Sequence, residues 1–222
     1  MKKMAILFDL DGTLLDTLED LTDSTNYVME QLGFPKRTLA EIREFIGNGA
    51  KKLFHQAVPD GTPMEQEKEA VRIFQSYYRD HCQIKTKPYP GILAVLRELQ
   101  EAGYPVGIVS NKPDYALQEL AKHHFPGIYA RGESPECPRK PAPDMIFAAA
   151  KALDREPGEC IYVGDSDVDV IAARNAGMEC LSVLWGFRDE PEIREAGGRH
   201  FCAEPSQIPE KVKELEKLIH GL

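Results

Sequence analysis

Hydrophobic residues in the second half of the chain form short continuous runs that alternate with helical patterns. Such runs occupy 104–110, 160–165 and 179–185, and a run at 5–9 near the start of the chain has the same character. Uninterrupted apolar runs of this length are typical of strands buried on both faces of a parallel sheet. We therefore predict an α/β fold with a doubly wound parallel sheet, whose site lies at the carboxyl ends of the strands.

Residues 16–84 follow a different pattern. Apolar positions recur at helical spacing in 18–33 and again in 65–82, with no convincing strand between them. This indicates an all-helical subdomain inserted after the first strand. The predicted boundaries are 1–15 and 85–222 for the sheet-containing core and 16–84 for the insertion.

Composition and charge restrict the possible partners. The chain has 222 residues, of which 42% are hydrophobic and 28% charged, so it can bury a sizeable core. Its net charge is −9 and the sequence contains no basic block, which argues against nucleic acid or an anionic membrane surface as a partner. An anionic substrate would therefore need a local positive centre.

Cysteine usage and hydropathy indicate the compartment. The five cysteines are scattered and form no Cys-x-x-Cys pair, so neither zinc nor a disulfide framework is expected. The amino-terminal apolar run is too short for a signal peptide, and no later stretch approaches the length of a membrane span. We predict a cytoplasmic protein, either a monomer or a homodimer.

Polar residues follow three of the predicted strands. Asp9 and Asp11 end the first, 110–112 (Ser-Asn-Lys) the second, and 164–166 (Gly-Asp-Ser) a later one. Taken singly, the second and third sets also suit helix N-caps. Together they would place three or four carboxylates at one sheet edge, which is unfavourable unless a cation lies among them. Ligands that are all oxygen point to Mg²⁺.

Four segments carry a family resemblance. DLDGTLLDT, VSNK, RKPAPD and VGDSDVDVIAARNAG resemble, in this order, the four motifs of the haloacid dehalogenase superfamily of phosphohydrolases. The insertion resembles the helical type 1 cap found on the Rossmann-like core of that superfamily. The segment EIREFIGNGAKKLF is similar to the cap of its phosphoglycolate phosphatase-like members.

The resemblance implies a catalytic role for three residues. Asp9 would attack the phosphoryl group as a nucleophile and form an aspartyl-phosphate. Asp11 would protonate the leaving oxygen and later deprotonate the attacking water. Lys140 would supply the positive charge in the transition state, with its neighbour Arg139 as a rival.

The resemblance also implies residues that bind the substrate and the metal. The phosphoryl group would contact Gly12, Thr13, Ser110 and Asn111, and the cap would contribute Asn48 and Lys51. The Mg²⁺ ligands would be Asp9, the carbonyl of Asp11, and Asp165, with Asp169 acting through a water or as support.

These residues predict a Mg²⁺-dependent phosphatase that acts on a small phosphate ester, with phosphoglycolate as the first candidate. A pyrophosphatase, a nucleotidase and a sugar phosphomutase similar to β-phosphoglucomutase are alternatives. Thr13, at a position where those mutases tend to carry valine, favours a hydrolase. A phospho-receiver switch is a further alternative, but it would have no use for Asp11 or for a helical cap.

Overall fold

A six-stranded parallel sheet forms the centre of the larger unit in the computed structural model, which describes residues 2–221. The strands of the chain are β1 (Ala5–Phe8), β2 (Leu15–Asp16), β3 (Lys87–Pro88), β4 (Val106–Pro113), β5 (Tyr129–Glu133), β6 (Cys160–Gly164), β7 (Glu179–Val183) and β8 (His200–Cys202). The sheet has the order β5-β4-β1-β6-β7-β8, and each neighbouring pair is parallel. β2 and β3 pair separately, where the chain leaves and rejoins this unit. The doubly wound α/β prediction is confirmed.

Helices follow most of the strands. They are α1 (Leu18–Gln31), α2 (Leu39–Phe45), α3 (Gly49–Ala57), α4 (Met64–His81), α5 (Ile92–Glu101), α6 (Asp114–His124), α7 (Asp144–Ala152), α8 (Asp167–Ala176), α9 (Glu190–Glu195) and α10 (Ile208–His220). Short 3-10 turns lie at Pro157–Glu159 and Pro205–Gln207. Among the described residues, none of these helices combines the length and hydropathy needed to cross a membrane.

The two outer strands, β5 and β8, are absent from the sequence prediction. Buried and half-buried positions alternate along β5, and β8 has only three residues, most of them partly exposed. An edge strand lacks the continuous apolar run that identifies a strand buried on both faces. The hydropathy pattern therefore revealed the four central strands and not these two.

The chain divides into two compact units, Met1–Leu15 with Pro88–Leu222, and Asp16–Lys87. The smaller unit consists of α1 to α4 and has aromatic packing of its own: Phe54 meets Phe74 edge to face, with ring centroids 5.4 Å apart. We retain the assignment of these units as a catalytic core and a cap as a prediction.

Strand register brings the polar strand ends together. Phe8 of β1 lies beside Ile108 of β4 and Val163 of β6. The residues that follow each of these positions therefore emerge at one edge of the sheet, as parallel pairing requires. The backbone N–H of Asp9 continues the ladder by donating to the carbonyl of Val163, at 2.9 Å.

Candidate active site

Three buried carboxylates meet at the carboxyl edge of the sheet. Oxygens of Asp9, Asp165 and Asp169 all lie within 4.8 Å of one another. Asp9 follows β1, Asp165 follows β6, and Asp169 lies in the first turn of α8. The structure thus brings together three of the residues that the sequence identified as metal ligands.

Lys140 provides the positive charge of this cluster. Its side chain is only 2% exposed, and its Nζ lies 2.9 Å from Asp9 Oδ1 and 2.7 Å from Asp169 Oδ1. Nζ also donates to the hydroxyl of Tyr162 at 2.9 Å, and that hydroxyl donates to the carbonyl of Val109. The rival Arg139 instead pairs with Glu133 at 2.8 Å.

The side chain of Asn111 holds the backbone of Lys140 on both sides. The Lys140 N–H donates to Asn111 Oδ1 at 2.6 Å, and Asn111 Nδ2 donates to the Lys140 carbonyl at 3.1 Å. Since both polar groups of this amide contact Lys140, the geometry favours a role in positioning the lysine. The sequence predicted that Asn111 contacts the substrate, and the structure does not test that contact.

Asp165 and Asp169 are fixed by donors from several segments. Asp165 accepts hydrogen bonds from Thr13 Oγ1 and from the N–H of Phe187, each at 2.8 Å. Ser166 caps α8: its Oγ accepts from the Asp169 N–H, and Asp169 Oδ2 accepts from the Ser166 N–H and hydroxyl. Thr13, predicted to bind substrate, therefore contacts a carboxylate of the site.

Glycines allow the close approach of backbone to these carboxylates. Gly12 has φ +85°, and a Cβ there would collide with the carboxylate of Asp165. A Cβ on Gly186 would strike the same carboxylate, and one on Gly164 would strike Asp169. No pattern in the sequence identified Gly186, because its role depends on a loop that reaches the site from the end of β7.

Asp11 lies outside the three-carboxylate cluster and has a cation of its own. Its Oδ1 is 3.2 Å from the Nζ of Lys112, a residue to which the sequence assigned no role. Ser110 Oγ accepts from the N–H of Lys112 at 3.2 Å. The second strand end therefore contributes a charged side chain as well as the predicted hydroxyl.

Asn48 and Lys51, the residues predicted to belong to a cap, lie in the helical unit. Asn48 directly precedes α3, and Lys51 is exposed in the first turn of that helix. Their contact with a leaving group stays a prediction.

Burial and mutual repulsion disfavour negative charge in the cluster. Burial raises the pKa of Asp9 well above its usual range, and the carboxylates of Asp169 and Asp165 raise it further, while Lys140 opposes them. Burial, reinforced by Asp169, raises the pKa of Asp165 to about 7. Burial would lower the pKa of Lys140, but the carboxylates of Asp169 and Asp9 outweigh it and raise that pKa. A further cation would relieve this repulsion.

The residues present fit a divalent metal. Asp9 Oδ1 is engaged by Lys140 and by the N–H of Leu10, whereas within residues 2–221 no donor contacts Oδ2. Asp165 keeps acceptor capacity on both oxygens, since each carboxylate oxygen offers two lone pairs. Both oxygens of Asp169 already accept hydrogen bonds from Lys140 and the helix cap, which suits a supporting role better than direct ligation.

Comparison with known proteins agrees with this geometry. The family model for haloacid dehalogenase-like hydrolases matches residues 6–183. A phosphoglycolate phosphatase of Nitrosococcus oceani is 32% identical over 96% of this chain and 95% of its own, and phosphoglycolate phosphatase 1 of Pseudomonas aeruginosa is 32% identical over 86% and 72%. A solved structure from Lactobacillus delbrueckii subsp. bulgaricus, a candidate phosphoglycolate phosphatase, is 35% identical, with a TM-score of 0.87 and 99% coverage of both chains.

The first strand of the doubly wound sheet places an aspartate beside a buried lysine and two further aspartates. Together with the similarity to these relatives, this site defines a phosphatase. The chain belongs to the haloacid dehalogenase-like hydrolase family. The resemblance seen in the four motifs is therefore confirmed.

The raised pKa of Asp165 predicts how Mg²⁺ binding depends on pH. A proton on this carboxyl competes with the cation, so the affinity for Mg²⁺ should fall by about tenfold per pH unit as the pH drops below about 7. In the metal-free protein, the Asp165 carboxyl binds its proton more tightly in the folded state than in the unfolded chain. The free energy of unfolding of the metal-free protein therefore falls as the pH rises through about 7. The increase in Tm on adding Mg²⁺ should accordingly be larger at pH 8 than at pH 6.

Thermal unfolding with and without Mg²⁺ at the two pH values measures this effect. Asp165→Asn should abolish the Mg²⁺-dependent increase in Tm. Asp167→Asn, which changes an aspartate two residues away with a 40% exposed side chain, should retain it. Equal increases in Tm at pH 6 and pH 8 would contradict the predicted competition.

Proposed function

We propose that this phosphatase is a Mg²⁺-dependent phosphomonoesterase that acts through an aspartyl-phosphate on Asp9. The observation that carries the proposal is the Asp9 carboxylate at the end of β1, 2.9 Å from the buried ammonium of Lys140. A carboxylate held against a fixed cation is well placed to approach a phosphoryl dianion, because the cation offsets the repulsion between the two anions.

In the first step, Asp9 attacks phosphorus and the ester P–O bond breaks. Asp11 gives a proton to the departing oxygen, and Lys140 offsets negative charge on the transferring group. In the second step, the oxygen of a water attacks phosphorus while Asp11 takes its proton. Inorganic phosphate then leaves and the Asp9 carboxylate is restored.

Charge balance supports the metal. The site holds four carboxylates (Asp9, Asp11, Asp165 and Asp169) and two ammonium groups: Lys140 contacts Asp9 and Asp169, and Lys112 contacts Asp11. With all six groups ionised, one divalent cation would neutralise this set. Asp9, the carbonyl of Asp11, and Asp165 would hold Mg²⁺, with Asp169 supporting Lys140. When bound, Mg²⁺ supplies positive charge next to the phosphoryl oxygens.

Phosphoglycolate is the first substrate candidate. The relatives from Nitrosococcus oceani and Pseudomonas aeruginosa, which match most of this chain, carry the name of that activity. We propose that Asp16–Lys87 acts as a cap whose Asn48 and Lys51 contact the leaving group, while Gly12, Thr13 and Ser110 surround the phosphoryl group. Such a cap would restrict the substrates to small-molecule phosphate esters. We also propose that the protein acts in the cytoplasm.

Replacing the nucleophile tests the proposed chemistry. Asp9→Asn should reduce hydrolysis of phosphoglycolate in Mg²⁺ by at least about a thousandfold, because an amide cannot form the acyl-phosphate. Asp144→Asn, at the exposed aspartate that ends the third motif and has no role in the proposed chemistry, should stay within about twofold of the wild type. Phosphate release measured over time, with and without a chelator, provides the comparison. An Asp9→Asn protein that retains a tenth of the activity would exclude Asp9 as the nucleophile.

The cap assignment is tested by neighbouring lysines of α3. Lys51→Ala should lower kcat/KM for phosphoglycolate by about tenfold and change that for 4-nitrophenyl phosphate little, since an activated ester needs less positioning. Lys52→Ala, the adjacent exposed lysine, should leave both values unchanged. If the two variants have the same ratio of the two kcat/KM values, Lys51 does not determine specificity.

A further inference from the structure

Lys112 is a second buried lysine at the carboxyl edge of the sheet. Its side chain is 4% exposed, and its Nζ lies 3.2 Å from Oδ1 of Asp11, whose side chain is 20% exposed. Removing an ammonium from water is unfavourable unless a partner compensates for the loss. Lys140 contacts Asp9 and Asp169, so Lys112 and Asp11 form a second ion pair that is separate from that cluster.

The backbone beneath Lys112 is shaped by an irregularity at the end of β4. The register between β4 and β5 shifts between Ser110 and Pro113. Ser110 Oγ accepts a hydrogen bond from the Lys112 N–H. Gly132 of β5 pairs with Ser110, and a Cβ on Gly132 would lie 2.7 Å from the carbonyl oxygen of Lys112. A β-bulge, one form of such a shift, redirects side chains next to active sites. Here the register shift accompanies the contact of Lys112 with Asp11.

We propose that Lys112 is a positioning residue that holds the Asp11 carboxyl in the orientation for proton transfer. This inference rests on the proposed function, in which Asp11 acts as the general acid and base. Lys112 lies against Oδ1 as an ion pair, with no hydrogen bond to that oxygen among the described residues, and Oδ2 would carry the transferred proton. That oxygen gives its proton to the ester oxygen as the P–O bond breaks, and takes one from water as water attacks the aspartyl-phosphate.

The proposal predicts a loss that depends on the leaving group. A 4-nitrophenolate ion departs without protonation, whereas an alkoxide needs the proton from Asp11. Lys112→Met should therefore lower kcat/KM for glycerol phosphate by about 10- to 100-fold, the range expected when a general acid is misplaced. The kcat/KM for 4-nitrophenyl phosphate, which reports only the steps up to the first P–O cleavage, should change by less than about threefold.

Three further variants complete the experiment. Lys112→Gln, a second neutral replacement, should behave like Lys112→Met. Lys122→Gln removes the positive charge of an exposed lysine in the last turn of α6, outside the proposed machinery, and should leave both kcat/KM values within about twofold. Asp11→Asn should itself depress the glycerol phosphate rate selectively, and adding Lys112→Met to it should cause no further selective loss.

The outcomes separate this proposal from the proposed function. If Lys112→Met and Lys112→Gln lower both kcat/KM values equally, Lys112 serves folding or phosphate binding and the proposal is wrong. It is also wrong if Lys112→Met adds its full selective loss to Asp11→Asn. If Asp11→Asn shows no selectivity for the leaving group, the acid role of Asp11 fails and the proposed function must change. Selectivity in Asp11→Asn with none in the Lys112 variants overturns the positioning role alone.

Discussion

The concentration of buried negative charge at one sheet edge is the constraint on which the rest of this structure depends. Asp9, Asp165 and Asp169 lie within 4.8 Å of one another with little access to water. Burial, reinforced by repulsion between the carboxylates, disfavours ionisation and raises the pKa of Asp9 and Asp165. Lys140 compensates only part of this charge. The same excess of negative charge makes the site suited to a divalent cation, which would in turn offset the charge of a phosphoryl group.

The surrounding segments restrict how these charges can move. Asn111 holds the backbone of Lys140 from both sides, and Tyr162 accepts a hydrogen bond from its ammonium. Thr13 and the N–H of Phe187 fix the two oxygens of Asp165. Asn111 lies in β4, Tyr162 in β6, and Thr13 and Phe187 in the segments that follow β1 and β7, so the geometry of the charges depends on the register of these four strands. A fixed arrangement of this kind can stabilise developing charge without reorganising during the reaction.

The sequence predicted the parts of the site that follow strands or lie in motifs. Asp9, Asp165 and Lys140 were found because apolar runs or short motifs mark their positions. The contact of Lys112 with Asp11, the hydroxyl of Tyr162 and the approach of Gly186 were not found. Each depends on a partner more than 20 residues away, a shift in strand register or the path of a loop, none of which leaves a local pattern. The edge strands β5 and β8 were missed because they are only partly buried.

The location of the phosphoryl group during turnover tests the central claim most directly. Protein mixed with Mg²⁺ and 4-nitrophenyl phosphate can be quenched in acid and reduced with borohydride, which converts an aspartyl-phosphate to homoserine. Peptide mass spectrometry then locates the modified residue. If Asp9 is the nucleophile, homoserine will be found at position 9, dependent on both substrate and Mg²⁺. Modification at Asp11 or Asp165 instead, or rapid turnover with no modified aspartate, would contradict it.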